Sequence, residues 1–399
     1  RKLKITSSAL LTLCMVFVMT ACAENSSQSE KSQPAEQTTV QPTTMSAEEI
    51  NDRKLDKFIS DMTLEEKVGQ MFFVRCPDEG AVQQVSEYNI GGYILFGRDF
   101  DGKTKDEVLD DIHSYQNEAD IPLLIGVDEE GGTVVRVSSN PNLRETPFLS
   151  PKDTYADGGW DAVKQDAEEK ADLLLSLGIN VNLAPVCDMT SDEYGFMYDR
   201  SFSSDVDMEN RYVRTVVETS KSKKLGTVLK HFPGYGNNSD THTGIAYDDR
   251  DYSEFENTDF KPFYQGIESG ADCILVSHNI VNCMDSEYPA SLSQKVHDIL
   301  RNEFKFDGVI MTDDLIMDAI TDFTGDEAAA VTAAKCGNDL LCCSSVDTQY
   351  PAVLEAVQNG EIPEAQVDAS VKRILKWKQN LGIFNIDTYQ KKVKSTEPT

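Results

Sequence analysis

From Gln70 onward, short apolar runs alternate along the chain with longer amphipathic stretches. Eight of the short runs have the length and composition of buried strands. They are Met71–Arg75, Gly92–Phe96, Pro122–Val127, Asn180–Ala184, Thr227–Lys230, Cys273–Ser277, Gly308–Met311 and Asp339–Cys342. Helical periodicity occupies the stretches Lys105–Glu118, Ala162–Leu177, Glu209–Lys224, Leu292–Phe304 and Glu327–Lys335. Strands that alternate with helices in this way indicate a parallel sheet.

Eight strand–helix units in one domain-sized stretch predict an α/β fold, specifically a (β/α)₈ TIM-type barrel. The predicted barrel covers residues 47–385, with flanking helices at Leu64–Met71 and Ala365–Leu381 and a C-terminal tail at 386–399. An open doubly wound sheet is the alternative arrangement. It lacks support, because no GxGxxG motif follows the first strand.

The N-terminal segment resembles a bacterial lipoprotein signal. It begins with three basic residues in four, continues through an apolar run at 8–20, and ends Met-Thr-Ala-Cys at Cys22. The run is shorter than the ~20 residues of a membrane-spanning helix; a clipped membrane anchor is the alternative. Residues 23–46 are rich in Ser, Thr, Gln, Pro and Glu, which predicts a disordered tether. We therefore expect lipidated Cys22 to hold the domain at the extracytoplasmic face of the cell membrane.

Composition excludes several classes of protein. The chain has 68 acidic and 37 basic residues, for a net charge of −31, and such a surface repels nucleic acid. Its nine cysteines include no CxxC pair, which argues against a zinc site or a full disulfide framework. Those in apolar runs are predicted to be core residues: Cys187, Cys273, Cys342 and Cys343. We predict a monomer without metal or cofactor.

Polar residues follow several of the predicted strands. Asp128 follows the third strand, Arg200 lies beyond the fourth, and Lys230–His231 ends the fifth. His278 follows the sixth, and Asp313–Asp314 the seventh. In (β/α)₈ barrels the active site lies at the carboxyl ends of the strands, where these residues are predicted to lie. His278 is predicted either to line that site or to form a hydrogen bond in the core.

A carboxylate after the seventh strand and an Asp-x-His pair after the fifth indicate hydrolysis of a glycoside. The carboxylate would act at the anomeric carbon, and the pair would supply general acid–base catalysis. His242 would exchange the proton, since histidine titrates near pH 6.5. Asp240 would orient it, as the carboxylate of a catalytic triad does. The alternatives are a helix cap for Asp313 and a solvated loop position for His242. No serine elbow or HExxH motif suggests acyl transfer or zinc hydrolysis.

Several motifs, in order and spacing, resemble glycoside hydrolase family 3 over about residues 56–345, most of all its β-N-acetylhexosaminidase branch. The motifs are MTLEEKVGQM (Met62–Met71), VDEEGGTVVR (Val127–Arg136), NLAPVCDM (Asn182–Met189), DRSF (Asp199–Phe202), KHFPGYG (Lys230–Gly236), DTH (Asp240–His242), PASLS (Pro289–Ser293) and FDGVIMTDDLIM (Phe306–Met317). The resemblance implies Asp313 as nucleophile and His242 as general acid/base, paired with Asp240. The residues that it implies for sugar binding are Asp128, Arg200, Lys230 and His231.

The chain departs from the family pattern at four of the motif positions. The family usually has Gln and Arg where this chain has Glu129 and Thr133. It usually has His and Asp where this chain has Tyr235 and Asn237.

The leading functional hypothesis is an exo-acting, retaining β-N-acetylhexosaminidase that releases terminal N-acetylglucosamine from peptidoglycan fragments or related saccharides. A β-glucosidase or β-xylosidase of the same family is less favoured, because those enzymes usually take an acid/base Glu from a further domain. Only about 50 residues follow the last predicted strand, too few for such a domain. A glycoside phosphorylase is a third possibility, and a sugar-binding lipoprotein is the alternative outside enzymes.

The lipoprotein hypothesis predicts that Cys22→Ser releases the domain into the medium with its glycosidase activity intact, because the thioether that carries the lipid cannot form. Fractionation of expressing cells with an activity assay measures the change. Cys22→Ser protein that stays membrane-bound would contradict the hypothesis.

Overall fold

The computed structural model describes residues 45–391 except residue 325. The chain divides into two units, Arg1–Ser46 and Ala47–Thr399, and the barrel belongs to the second. The predicted signal peptide, Cys22 and nearly all of the predicted tether lie outside the described residues, as does the end of the predicted tail.

Eight parallel strands form the barrel that the sequence predicts. They are Phe72–Arg75 (β1), Gly92–Leu95 (β2), Leu124–Val127 (β3), Val181–Asn182 (β4), Gly226–Phe232 (β5), Cys273–Val276 (β6), Val309–Thr312 (β7) and Leu341–Cys343 (β8). The strands pair in the order β8-β1-β2-β3-β4-β5-β6-β7. A parallel bridge between Met311 and Leu340 joins β7 to β8 and nearly closes the barrel. The α/β TIM-barrel prediction is confirmed.

Helices surround the barrel. Their bounds are Ala47–Ser60 (α1), Leu64–Gln70 (α2), Ala81–Tyr88 (α3), Lys105–Glu118 (α4), Pro151–Ser176 (α5), Val206–Lys223 (α6), Tyr252–Asn257 (α7), Phe260–Glu268 (α8), Gln294–Asp298 (α9), Asp318–Thr324 (α10), Asp326–Lys335 (α11), Val346–Gln358 (α12) and Glu364–Asn380 (α13). Within the described part of the chain, none is long and apolar enough to cross a membrane.

Local sequence explains where several helices begin. Thr104 caps α4 by accepting from the Glu107 N–H, and the Glu107 side chain accepts from the Thr104 N–H in return. The predicted helix over Leu292–Phe304 is instead divided into a 3₁₀ turn, the short α9, and a π-helical turn at Ile299–Glu303. Arg301 in that turn donates to the Phe306 and Gly308 carbonyls, which anchors the chain where β7 begins.

The core lies inside the barrel and between its strands and helices. The close packing of the interior is visible at Gly126 on β3, where an added Cβ would lie 2.6 Å from Phe73 Cζ. The cysteines predicted as core residues are buried: Cys187, Cys273, Cys342 and Cys343. Beyond α13, Phe384 is buried, and Ile386 and Tyr389 pack against the same core.

Candidate active site

A cleft of about 610 Å³ opens at the carboxyl ends of the barrel strands. Six of the seven residues predicted for catalysis and sugar binding line it: Asp128, Arg200, Lys230, His231, His242 and Asp313. The seventh, Asp240, is hydrogen-bonded to His242. The barrel topology thus collects in one cleft side chains that are far apart in the sequence.

The loop after β3 is folded back by a buried carboxylate. Glu129 is fully buried and accepts backbone N–H groups from Arg136 at 2.8 Å and Val137 at 2.7 Å. On β4, Asn182 accepts from the Glu129 N–H at 3.0 Å and donates to its carbonyl at 3.1 Å. These contacts fix the backbone that carries Asp128 and Glu130 on either side.

A four-residue charge network crosses the floor of the cleft. Lys230 donates to Asp128 and to Glu130, each at 2.6 Å. Arg200 forms two bonds to Glu130, from Nε at 2.9 Å and from Nη2 at 2.8 Å. Glu130 therefore holds two of the predicted sugar-binding cations. The sequence analysis did not select Glu130, although it lies within the quoted VDEEGG motif.

Electrostatics keep this network charged. Burial by itself would raise the pKa of Glu130, but the adjacent Lys230 and Arg200 outweigh it and hold the pKa well below its usual value. Burial would lower the pKa of Lys230, but Asp128 and Glu130 raise it above the usual value. Both groups are therefore ionised near neutral pH.

His231 is oriented by a carboxylate that the sequence analysis also missed. Asp188, fully buried, lies 2.6 Å from His231 Nδ1 and accepts the Tyr235 N–H at 2.7 Å. Because Nδ1 faces a carboxylate, it carries a hydrogen, and Nε2 lies 3.3 Å from Arg200 Nη2. Asp188 lies in the quoted NLAPVCDM motif, so the signal was present.

Asp313 follows β7 and is held by backbone hydrogen bonds. Its N–H donates to the Val276 carbonyl at 3.2 Å, and its carboxylate accepts the Asp314 N–H at 2.9 Å. Burial would raise the pKa of Asp313, but the imidazoles of His278 and His231 and the Asp314 N–H outweigh it and leave the pKa below its usual value. The carboxylate is therefore ionised, as a nucleophile must be.

His278 is a core residue rather than part of the cleft wall. It is fully buried; its Nδ1 lies 2.7 Å from the Ser291 hydroxyl and its Nε2 lies 3.0 Å from the Asp314 carbonyl. Of the two alternatives left open for His278, the structure supports the hydrogen-bonding one. Asp314 accepts from Ser344 at 2.8 Å and also lines the cleft.

His242 lies on the loop after β5, in a 3₁₀ turn at Thr241–Thr243. Its Nδ1 is 2.6 Å from Asp240 Oδ1, which also accepts the His242 N–H at 3.0 Å. The His242 side chain is 59% exposed. The imidazole is therefore oriented by its own loop and remains accessible to a bound ligand.

The base of this loop is firmly packed. Gly234 and Gly236 both have positive φ, and a Cβ on Gly234 would lie 2.3 Å from Asp259 Oδ1. Arg250 braces the turn by donating to the Gly234 carbonyl at 3.2 Å and to Asp259 at 2.9 Å. Further along, the buried Tyr235 hydroxyl contacts the side chain of Thr241. The glycines serve close packing at the base of the loop.

The sequence matches a known family over most of its length. Residues 63–377 match the family model described as the glycosyl hydrolase family 3 N-terminal domain. The beta-hexosaminidase of Hydrogenovibrio crunogenus is 31% identical over 286 residues, which is 70% of this chain and 79% of that protein. Beta-hexosaminidase LpqI of Mycobacterium tuberculosis is 31% identical over 327 residues, 77% of this chain and 81% of that protein.

A solved structure agrees with these relatives. The family 3 beta-N-acetylglucosaminidase from Paenibacillus sp. str. FPU-7 matches with a TM-score of 0.76 and 29% identity. The match covers 85% of this chain and 66% of that longer chain. The fold and the cleft define a barrel enzyme of the glycoside hydrolase class. The chain belongs to glycosyl hydrolase family 3, as its motifs suggested.

The charge network predicts that Glu130→Gln destabilises the fold by about 3–5 kcal/mol, because Lys230 and Arg200 stay buried without their shared carboxylate. Urea denaturation measures the change. Asp172→Asn is the matched control: Asp172 pairs with Lys223 at 2.8 Å on the surface. Asp172→Asn should lower the free energy of unfolding by less than about 1 kcal/mol.

The difference in unfolding free energy between wild type and Glu130→Gln should depend on pH. The folded pKa of Glu130 lies below its usual 4.5, so its stabilisation is complete above that pH and is lost as the pH falls toward the folded value. The difference between wild type and Glu130→Gln should shrink in acid. A difference that is the same at pH 7 and pH 3 would contradict the assignment.

Proposed function

We propose that the protein is an exo-acting, retaining β-N-acetylhexosaminidase that releases terminal β-linked N-acetylglucosamine from peptidoglycan fragments or related saccharides. The observation that carries this proposal is the presence in one cleft of an ionised carboxylate, Asp313, and a carboxylate-oriented histidine, His242. The beta-hexosaminidase names of the relatives and the beta-N-acetylglucosaminidase name of the structural neighbour support the same substrate class.

In the proposed first step, the Asp313 carboxylate attacks the anomeric carbon as the bond to the leaving oxygen breaks. His242 donates a proton from Nε2 to that oxygen, and a glycosyl ester on Asp313 results. Because Nδ1 faces Asp240 at 2.6 Å, Nδ1 keeps its own hydrogen. The Asp240 carboxylate stabilises the cationic ring.

In the second step, the neutral His242 accepts a proton from water, and the oxygen of that water attacks the anomeric carbon. The ester bond breaks, and Asp313 regains its carboxylate. Two displacements at the same carbon return the original β configuration.

The sugar itself would be held by the charge network on the floor of the cleft. We assign Asp128, Lys230, His231 and Arg200 to the hydroxyl and acetamido groups of the terminal residue. Their mutual contacts, with Lys230 on Asp128 at 2.6 Å and Arg200 on Glu130, hold them in place before substrate arrives. Such preorganisation lowers the cost of orienting the substrate.

The location of the enzyme is a separate proposal. We propose that Cys22 carries a lipid and that the barrel acts at the extracytoplasmic face of the membrane, where peptidoglycan fragments are available. The lipobox-like ending at Cys22 supports this.

Asp313→Asn should fold and bind sugar but lose nearly all turnover, because an amide does not form the glycosyl ester. Hydrolysis of an aryl β-N-acetylglucosaminide measures the loss, and a fluorinated glycoside inactivator should label wild-type Asp313. Asp318→Asn, on α10 beyond the nucleophile, is the control and should retain activity. Labelling of a different carboxylate would overturn the assignment.

His242→Ala should slow natural disaccharides far more than aryl glycosides with acidic phenols, because good leaving groups need little protonation. Asp240→Asn should act in the same direction but more weakly, since the imidazole remains. Rates plotted against the pKa of the leaving group measure the effect, and azide should partly rescue His242→Ala on activated substrates. An equal loss on every substrate would mean that the proton comes from another group.

A further inference from the structure

A glutamate that takes no part in the proposed mechanism is buried beside the β4 loop. Glu209 lies in the first turns of α6 and is fully buried. Its Oε2 accepts the Ser203 N–H at 2.9 Å. Its Oε1 is also buried, and no residue that the structure describes is its hydrogen-bond partner. Because burial of an unsatisfied oxygen is costly, packing alone does not explain this side chain.

The surroundings of Glu209 favour its neutral form. Burial raises its pKa well above the usual value, and the Asp188 carboxylate acts in the same direction. The Ser203 N–H and the Lys152 ammonium favour the ionised form but do not outweigh burial. Burial likewise raises the pKa values of the two other titratable side chains near it, Cys187 and Tyr212. Glu209 is therefore a neutral acid at pH values where exposed glutamates are ionised.

The contact with Ser203 ties the β4 loop to α6. Arg200, which the proposed function assigns to the sugar, lies three residues before Ser203 on that loop. Between them, the Phe202 ring stacks on Tyr212 of α6 with the centroids 4.7 Å apart. Neither Glu209 nor Tyr212 lines the cleft. One hydrogen bond and one ring contact therefore fix, from outside the cleft, the short segment from which the Arg200 side chain enters it.

We propose that Glu209 is a positioning residue: through the Ser203 backbone it holds Arg200 in the cleft without touching the sugar. The inference rests on the proposed hexosaminidase function, in which Arg200 binds the terminal sugar. The neutral form suits this role, because an ionised Glu209 would add an unpaired charge near the buried Asp188 carboxylate, which orients His231. Such a charge would disturb two of the proposed sugar-binding residues at once.

The first test compares two substitutions at this position. Glu209→Ala should lower kcat/KM for 4-nitrophenyl β-N-acetylglucosaminide roughly 10-fold, which corresponds to one buried hydrogen bond. Glu209→Gln should stay within about twofold of the wild type, because the amide oxygen accepts the same N–H. The matched control is Val213→Ala, on the same helix and fully buried. Val213→Ala should lower the Tm but keep the wild-type kcat/KM.

A double-mutant cycle shows whether Glu209 acts through Arg200. Glu209→Ala should add less than about twofold to the loss that Arg200→Ala causes alone, because a missing side chain cannot be positioned. Calorimetric binding of N-acetylglucosamine gives the same cycle where turnover is too slow. Losses that multiply would overturn the proposal, as would equal kcat/KM for Glu209→Ala and the wild type. Wild-type turnover of the aryl glycoside separately tests the proposed function.

The protonation state gives a readout that does not require activity. Because the folded pKa of Glu209 lies above the usual 4.5, its stabilisation is complete below that pH and is lost as the pH rises through the folded value. The amide in Glu209→Gln does not ionise. The Tm of Glu209→Gln should therefore rise relative to that of the wild type between pH 5 and pH 8. A Tm difference that is constant or falls over this range would overturn the assignment of Glu209 as a neutral acid.

Discussion

The buried contact between Glu130, Lys230 and Arg200 is the constraint on which the rest of the cleft depends. A lysine at the end of a barrel strand stays charged in a buried position only if carboxylates surround it. Glu130 supplies one, and Asp128 supplies the other at 2.6 Å. Because these residues come from the β3 loop, the β4 loop and β5, the same contact fixes three segments relative to one another. The proposed sugar-binding surface is thus also a structural element of the barrel.

The positions at which this chain departs from the usual family pattern have structural explanations. Glu129 folds the β3 loop by accepting backbone N–H groups. Tyr235 is buried and contacts Thr241 just before His242, while Asn237 accepts from Thr190 at 2.6 Å. These two contacts set the path of the β5 loop. Thr133, in contrast, lines the cleft. The departures therefore change how the cleft is supported more than which groups are proposed to react.

The loop that carries His242 combines a rigid base with an exposed tip. Arg250 and Asp259 brace the Gly234 turn, and Asp188 holds both His231 and the Tyr235 backbone. At the tip, the His242 side chain is 59% exposed and its orienting partner is only two residues away. Because the orienting carboxylate lies in the same turn as the histidine, the orientation of the His242 ring does not depend on contacts with other parts of the cleft. This arrangement suits a group that must approach a leaving oxygen in one step and a water molecule in the next.

The sequence by itself determined the barrel, because buried parallel strands are short apolar runs and each is followed by an amphipathic helix. Lys105–Glu118 was predicted to the residue, since Thr104 and Glu107 form a local capping box. Local patterns also placed Asp313 at a strand end and the Asp240–His242 pair on the loop after the fifth strand. Only the tertiary structure decided which side chains face one another there. Glu130 and Asp188 lie within the quoted motifs, but that they pair with Lys230, Arg200 and His231 becomes apparent only in the folded chain.

The fifth strand shows the same limit at the level of backbone geometry. Alternation along a strand sends neighbouring side chains to opposite faces, yet Lys230 and His231 both line the cleft. The pairing register of β5 shifts between Leu229 and Phe232, which breaks the alternation at these two residues. Arg75 is a similar case, because its guanidinium packs over Phe96, which follows β2, beside an arginine from the β3 loop. Such contacts depend on strand order and register, which arise only when distant segments pack together.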